Sequence, residues 1–385
     1  MENIISPITG SANVLKMDSF KKAMTSEQKF INEDVSNYFC QDTGLVFNQT
    51  GARGKEDWFY EEEYDLHSEN DISEFKYQTD QGYIGIYENI VQFLQKNMSK
   101  YEKGNILDIG CGKGLLLKNF SDKNQNWRLY GIEPSKNASL YHERLIPEAE
   151  IYSSSFDDVK LSIDKFQIVV SNGVLEHVPK PLDFLSFIYD NLDEDGICFI
   201  GVPNFKNNPI DIYTYDHLSR FTPETIKIIF TMSGFKVIDE IVSENRVPMW
   251  FIIKKTEKKE IHSLIDVTEQ LMIYKKNLRD LDSSFNSIVS CINDYRGDRI
   301  VVYGTGSVFA MSTLYNDINF NDVECYIDDN DTIHGTTKMG LMVNDPSYIE
   351  KNHINKIIIS SNPCYHSQIM KRINMLKIQS PKLFY

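Results

Sequence analysis

Two groups of residues in this 385-residue chain have the types and spacing to do chemistry. The first is Asn105–Gly114, N-I-L-D-I-G-C-G-K-G, where Gly110, Cys111, Gly112 and Gly114 follow an apolar run that contains Asp108. Glycines let a backbone close against a ligand that a Cβ would hold off. Leu115, Leu116 and Leu117 restart an apolar pattern, so the loop opens onto a helix N-terminus, where free N–H groups can meet an anion. Glu133, followed by Pro134, ends the next apolar run at about the 20-residue offset expected for a carboxylate that accepts both ribose hydroxyls. The second is His217, in the irregular stretch Asp211–Glu224 just before the cap Thr222 and Pro223. An imidazole titrates near roughly 6.5, and a small shift suits it to take a proton at neutral pH. A capping or packing histidine is the alternative.

The elements that must position these groups follow from pattern. Residues 100 to about 255 alternate strand and helix, which implies an α/β, doubly wound parallel sheet. Strands are expected near 105–109, 128–132, 149–153, 167–171 and 196–202. An apolar face over 78–97 predicts a helix ahead of the glycine loop. Thr222 and Pro223 start another helix, Gly234 ends it, and Phe235–Val242 with Val247–Ile253 form a hairpin. The fourth strand runs into Asn172-Gly173-Val174-Leu175-Glu176-His177-Val178, which lies beyond a strand carboxyl end and faces the glycine loop across the switch point. From Lys258 to Asp294 an apolar repeat steps through Leu271, Tyr274, Leu278, Leu281, Phe285, Ile288 and Ile292. It reads as a spacer helix packed across both flanking units, with a coiled coil as the alternative. A second α/β unit follows over 299–385. Its loop Gly304-Thr305-Gly306 has Phe309 where a dinucleotide fingerprint has its third glycine, so it reads as a docking platform for substrate or for the other domain.

Composition narrows the partners. Lysine and arginine total 40 against 55 acids, a net charge of −15 with no basic block, so nucleic acid and anionic membrane surfaces are not expected. The six cysteines are scattered without a C-x-x-C, which fits reduced thiols and a cytoplasmic location. No apolar stretch reaches the roughly 18 residues of a membrane span.

Spacing separates two ligands for the first loop. G-x-G-x-x-G would put its third glycine at Leu115, whereas this chain has Gly110, Gly112 and Gly114. The pattern D-x-G-C-G-x-G, then G-I-E-P, then L-E-H-V resembles the class I S-adenosylmethionine (SAM) methyltransferases. That resemblance implies SAM as methyl donor. It makes Asp108, Gly110, Cys111, Gly112, Gly114, Glu133, Pro134, Ser155, Phe156, Asn172, Gly173 and His177 the expected cofactor contacts.

The whole layout resembles the bacterial nucleotide-sugar C-methyltransferases, which join an N-terminal zinc module, a SAM domain and a C-terminal Rossmann-like domain. Val302-Tyr303-Gly304-Thr305-Gly306, Ile327-Asp328-Asp329-Asn330 and Asn344-Asp345-Pro346 carry the carboxyl-half match. The zinc-knuckle slots are Ser6, Thr9, Cys40 and Thr43; one thiolate and three hydroxyls do not make a structural zinc site, so no metal is expected. The implied division is 1–75, 76–256, a helical linker at 257–298, and 299–385. The resemblance makes His217 the base that removes a proton alpha to a keto group, with Asp216 in a glutamate slot, Thr214 in a tyrosine slot and Tyr213 beside them. Tyr60, Tyr64, Tyr77, Glu176, Asn204 and Tyr215 are the expected substrate contacts. Methylation of a sugar oxygen or nitrogen, or an inactive SAM-fold scaffold, are the alternatives.

Overall fold

The computed structural model describes residues 4–48, 76–79, 82–98, 100–257, 266–316, 318–376, 378 and 381–385. The chain begins with β1 (Val14–Phe20), a short hairpin of β2 (Ala23–Met24) and β3 (Phe30–Ile31), then β4 (Val35–Cys40) and β5 (Val46–Asn48). β4 is buried along its whole length, with β1 and β5 on either side. Both knuckle-like turns are formed. The Ser6 hydroxyl accepts N–H bonds from Ile8 and Thr9 at 3.3 Å, and Gly44 N–H donates to the Cys40 carbonyl at 2.8 Å. Side-chain and backbone hydrogen bonds thus close each turn.

The helix expected over 78–97 is shorter than its apolar face. Its first part is a hairpin of β6 (Lys76–Thr79) and β7 (Gly82–Gly85), and α1 runs only over Ile86–Asn97. Two glycines in β7 explain the difference, since each lowers helix propensity by about 1 kcal/mol against alanine.

A seven-stranded sheet follows. Its elements are β8 (Gly104–Ile109), α2 (Leu115–Lys123), β9 (Trp127–Ile132), α3 (Lys136–Leu145), β10 (Glu150–Tyr152), β11 (Phe166–Asn172), α4 (Pro181–Asn191) and β12 (Leu192–Pro203). After the short strand β13 (Ser219–Arg220) come α5 (Pro223–Met232), β14 (Phe235–Ile241) and β15 (Pro248–Lys255). The order is β10-β9-β8-β11-β12-β15-β14, with the first five parallel and β15 entering antiparallel. Every expected strand is present, and Thr222 caps α5 in a reciprocal box with Thr225. β13 is not part of this sheet. It pairs with β5, so the N-terminal sheet has the order β1-β4-β5-β13 and takes its last strand from residues about 170 positions downstream.

α6 (Val267–Asp294) starts at Asp266, whose carboxylate accepts N–H bonds from Thr268 and Glu269. Its repeat is used inside the chain. Tyr274, Leu281, Phe285, Ile288 and Ile292 are buried against Phe205, Ile212 and Tyr213 on one side and the carboxyl-terminal unit on the other. That unit holds β16 (Ile300–Tyr303), α7 (Ser307–Asn316), β17 (Cys325–Ile327), β18 (Thr337–Lys338), β19 (Leu341–Asn344), α8 (Ser347–Lys351), β20 (Lys356–Ile359), α9 (His366–Met375) and β21 (Lys382–Phe384). Its six strands run in the order β18-β19-β17-β16-β20-β21, all parallel except β18. Phe309 is fully buried and its N–H donates to Ser360 Oγ at 2.9 Å. The loops beyond β16 and β20 turn toward the other units: Gln28 Nε2 donates to the Thr305 carbonyl at 3.1 Å, and Asn362 Nδ2 to Asn208 Oδ1 at 2.9 Å. Among the described residues no helix is long and apolar enough to cross a membrane.

The burial of α6 within one chain sets a test. Ile288→Ala removes a fully buried side chain and is expected to cost about 2–5 kcal/mol in urea unfolding. Met272→Ala, on the exposed face, should change stability by less than about 0.5 kcal/mol.

Candidate active site

The glycine loop has the backbone its sequence requires. Gly110, Gly112 and Gly114 all lie at positive φ, +74°, +51° and +85°, where a Cβ is disfavoured. Space adds a second constraint: a Cβ on Gly110 would run into the side chain of Val174, and one on Gly114 would come within 2.5 Å of Ile146 Cδ1. Val174 belongs to the loop after β11, so the two loops across the switch point touch directly. Glu133 at the end of β9 closes the cradle. Its Oε2 accepts the Gly112 N–H and its Oε1 the Ser135 N–H, both at 2.8 Å. Burial raises the Glu133 carboxyl against the pull of these two bonds. Burial, with the Glu133 charge beside it, pushes Asp108 up to about 8. His142 on α3 holds the loop from outside, its Nε2 lying 2.7 Å from the Gly112 carbonyl.

The second half is a buried ionic cluster. His217 Nδ1 is hydrogen-bonded to the Asp211 carboxylate in a short contact, and both groups are buried. Burial alone lowers the imidazole, but the Asp211 charge and hydrogen bond, with Asp216 and Glu176 nearby, outweigh it and raise His217 to about 9. Burial also works to raise Asp211. The charges of His217 and Arg220 and the bonds from His217 and Thr214 reverse that and hold its carboxyl below the usual range. Arg220 Nε donates to the Asp211 carbonyl at 2.8 Å and its Nη2 to the Thr214 carbonyl at 3.1 Å. The His177 ring stands edge-on to that of His217, with centroids 4.8 Å apart, and its Nδ1 lies 2.9 Å from the Asp216 carbonyl. With Nδ1–H donating to oxygen in both rings, each neutral imidazole carries its lone pair on Nε2.

The N-terminal sheet holds the segment that carries this cluster. Asp216 accepts the Ser26 N–H at 2.7 Å and the Ser26 hydroxyl at 2.6 Å. Tyr215 N–H donates to the Met24 carbonyl at 2.8 Å, while Asn37 and Asn48 side chains bond the carbonyls of Ile212 and Tyr215 at 3.0 Å. From the other side, Leu218 N–H donates to the Glu176 carbonyl at 2.8 Å.

The expected residues therefore fall into three sets. Asp108, Gly110, Cys111, Gly112, Gly114, Glu133, Pro134, Asn172, Gly173, Glu176 and His177 lie in or at the ends of β8, β9 and β11, and Ser155 and Phe156 follow β10. The Phe156 ring is packed edge-on against Phe184 at 4.9 Å, which places it in the wall beside α4. Four expectations need correction. Asp216 is committed to Ser26 and His177, so the carboxylate on His217 is Asp211. The Tyr213 ring packs among Phe20, Phe285 and Tyr315, and Tyr215 bonds Glu33 at 2.8 Å in the N-terminal unit. Asn204 caps the turn Phe205–Asn207. These side chains are occupied by folding. Tyr60 and Tyr64 lie outside the described residues, as does the Tyr77 side chain. Sequence reasoning missed Asp211, Arg220, Ser26 and His142. Asp211 precedes His217 by six residues across an irregular turn, a spacing with no helical or strand period to mark it.

A loop with three left-handed glycines, a carboxylate at the end of the next strand and a buried acid within the first strand fit an adenosine-bearing ligand such as SAM. Residues 83–240 match a family described as a methyltransferase domain, and residues 296–384 one described as C2185-like, N-terminal. An uncharacterized protein of Rickettsia prowazekii is 32% identical over 173 residues, which cover 42% of this chain and 69% of that protein. A ubiquinone biosynthesis O-methyltransferase of Histophilus somni is 24% identical over 145 residues, 35% of this chain and 60% of that one. The beauvericin nonribosomal cyclodepsipeptide synthetase of Gibberella fujikuroi is 32% identical over 97 residues, and the chain spans 3% of its length. Among solved structures, a SAM-dependent methyltransferase from Clostridium acetobutylicum covers 44% of this chain and 91% of its own at 10% identity and a TM-score of 0.38. Residues 83–240 match the methyltransferase-domain family and lie on a parallel α/β core. The chain belongs to the family of the rickettsial protein, with which it shares 32% identity over more than two thirds of that protein.

The cradle predicts its own failure. Gly114→Ala forces a Cβ against Ile146 at φ +85°, and SAM affinity measured by calorimetry is expected to fall more than tenfold. Glu133→Ala removes the carboxylate that orders Gly112 and should weaken SAM by about 1.5–3 kcal/mol, the range for hydrogen bonds to a charged group.

Proposed function

We propose that this chain transfers the methyl group of SAM to a nucleotide-linked sugar, at a carbon alpha to a keto group, with His217 as the base. The observation that carries this reading is the buried Asp211–His217 pair beside the loop that packs on the SAM cradle. A substrate with an acidic C–H needs a base of raised strength held in one orientation, and a carboxylate on Nδ1 supplies both. SAM, when bound, provides a methyl group activated by its sulfonium. The chain's own residues do the rest. The glycine loop and Glu133 hold the adenosine end. Pro134, Ser155, Phe156, Asn172 and Gly173 flank it, and Glu176 and His177 wall the substrate side. His217 Nε2 accepts the proton while Asp211 stabilises the imidazolium that forms.

The resting cluster must first lose a proton. An imidazole raised to about 9 is largely cationic at neutral pH, so the base form grows as pH climbs toward that value. We assign residues 1–75 to an N-terminal module, 76–256 to the methyltransferase domain, 257–298 to a linking helix and 299–385 to a Rossmann-like docking domain. The contacts of Thr305 and Asn362 with the other units support that last role. A second reading, transfer to a sugar oxygen or nitrogen, uses the same base without an acidic C–H. The likeness to the Histophilus O-methyltransferase favours it.

Two measurements test the reading. Incubation of a nucleotide-linked 4-keto sugar in heavy water without SAM is expected to place deuterium alpha to the ketone. An O-methylated product with no such exchange would instead support the second reading, and SAM binding without turnover of any candidate sugar would support a scaffold. In the pH profile of kcat/KM, the ascending limb should lie near 9. In Asp211→Asn it should move toward about 6.5, with activity lowered by about 10²–10⁴.

A further inference from the structure

Three side chains of this cluster have a property that proton transfer does not use. Glu176, His177 and His217 are all buried, and donor atoms taken one from each lie within 4.8 Å of one another. Glu176 Oε2 has no hydrogen-bond partner among the described residues, although the residue is only 3% exposed. A buried carboxylate oxygen without a donor is costly.

We propose that Glu176, His177 and His217 form a binding site for one divalent first-row transition cation of the zinc class, taken up in competition with the sugar substrate. Two imidazoles and one carboxylate are a donor set that suits zinc, cobalt or iron better than magnesium or calcium. Both rings are already oriented from behind. Asp211 engages His217 Nδ1, and the Asp216 carbonyl engages His177 Nδ1, with the Asp216 carboxylate 3.6 Å away. Ligating histidines need such support on the other ring nitrogen. Zinc–nitrogen bonds of about 2.0–2.1 Å require each donor to draw in by less than about 1 Å from this spacing. The orphaned Glu176 oxygen supplies the negative charge for the ion. Such an ion is not a cofactor of methyl transfer. It takes up the His217 lone pair on which proton removal depends, so an occupied site and a working base exclude each other. That consequence, unlike the site itself, rests on the reading of His217 given above.

Cobalt(II) titration of the full chain, freed of metal by chelation, tests the site directly. The expected result is one cobalt ion per chain, with a visible absorption band of a tetrahedral or five-coordinate nitrogen–oxygen site that zinc(II) abolishes. Glu176→Gln and His177→Gln should each weaken cobalt at least tenfold, with an unchanged circular dichroism spectrum confirming that the variants are folded. No band in the wild-type protein, or equal cobalt affinity in both folded variants, would overturn the proposal. Zinc should also inhibit turnover competitively with the sugar. If cobalt binds as expected and His217→Ala still turns over, the base reading fails and the metal site stands.

Discussion

Ionisable groups removed from water must find partners, and this fold buries six of them around one irregular segment. Glu176, Asp211 and Asp216 face His177, His217 and Arg220, all less than a tenth exposed. An unpaired ion in such surroundings costs several kcal/mol, so neighbouring elements deliver donors and opposite charges, although Glu176 Oε2 and Arg220 Nη1 have no hydrogen-bond partner among the described residues. Ser26 serves Asp216, Arg220 serves the carbonyls of Asp211 and Thr214, and Asn37 and Asn48 serve the carbonyls of Ile212 and Tyr215. The N-terminal sheet therefore does more than decorate the methyltransferase core. It takes β13 as its last strand and fixes the backbone on which His217 sits.

This dependence gives a physical sense to the knuckle-like turns at Ser6–Gly10 and Cys40–Gly44. Their hydroxyls and backbone groups keep the turns closed, and β4 between them stays fully buried. What the rest of the molecule needs from this unit is an edge strand and three polar side chains aimed at residues 211–220. A hydrogen-bonded turn can support that edge as well as a metal-bound one.

The two halves of the site are joined by packing as well as by chain connectivity. Val174 fills the space over Gly110 that a Cβ would occupy, and His177, three residues on, meets His217. A shift of the loop after β11 must move both the wall of the glycine loop and the ring beside His217. Tight packing of this kind turns small displacements at one end into displacements at the other.

Much of this was legible in the order of residues. Glycine spacing, Glu133 at its offset and the strand–helix alternation specify the parallel sheet and the SAM loop, because local backbone conformation and period-driven burial act within a few residues. The extent of α1 was not legible, since an apolar period alone cannot say that Gly82 and Gly85 pair as a strand with Lys76–Thr79. Nor was the partner of His217. Asp216 is adjacent in sequence, yet the chain turns so that Asp211 meets the ring and Asp216 meets Ser26, which lies 190 residues away in sequence. Sequence by itself marked out the glycine loop and singled out His217. Only the tertiary structure decided which carboxylate charges that histidine, because pairing of buried ions depends on distances between elements that no local pattern encodes.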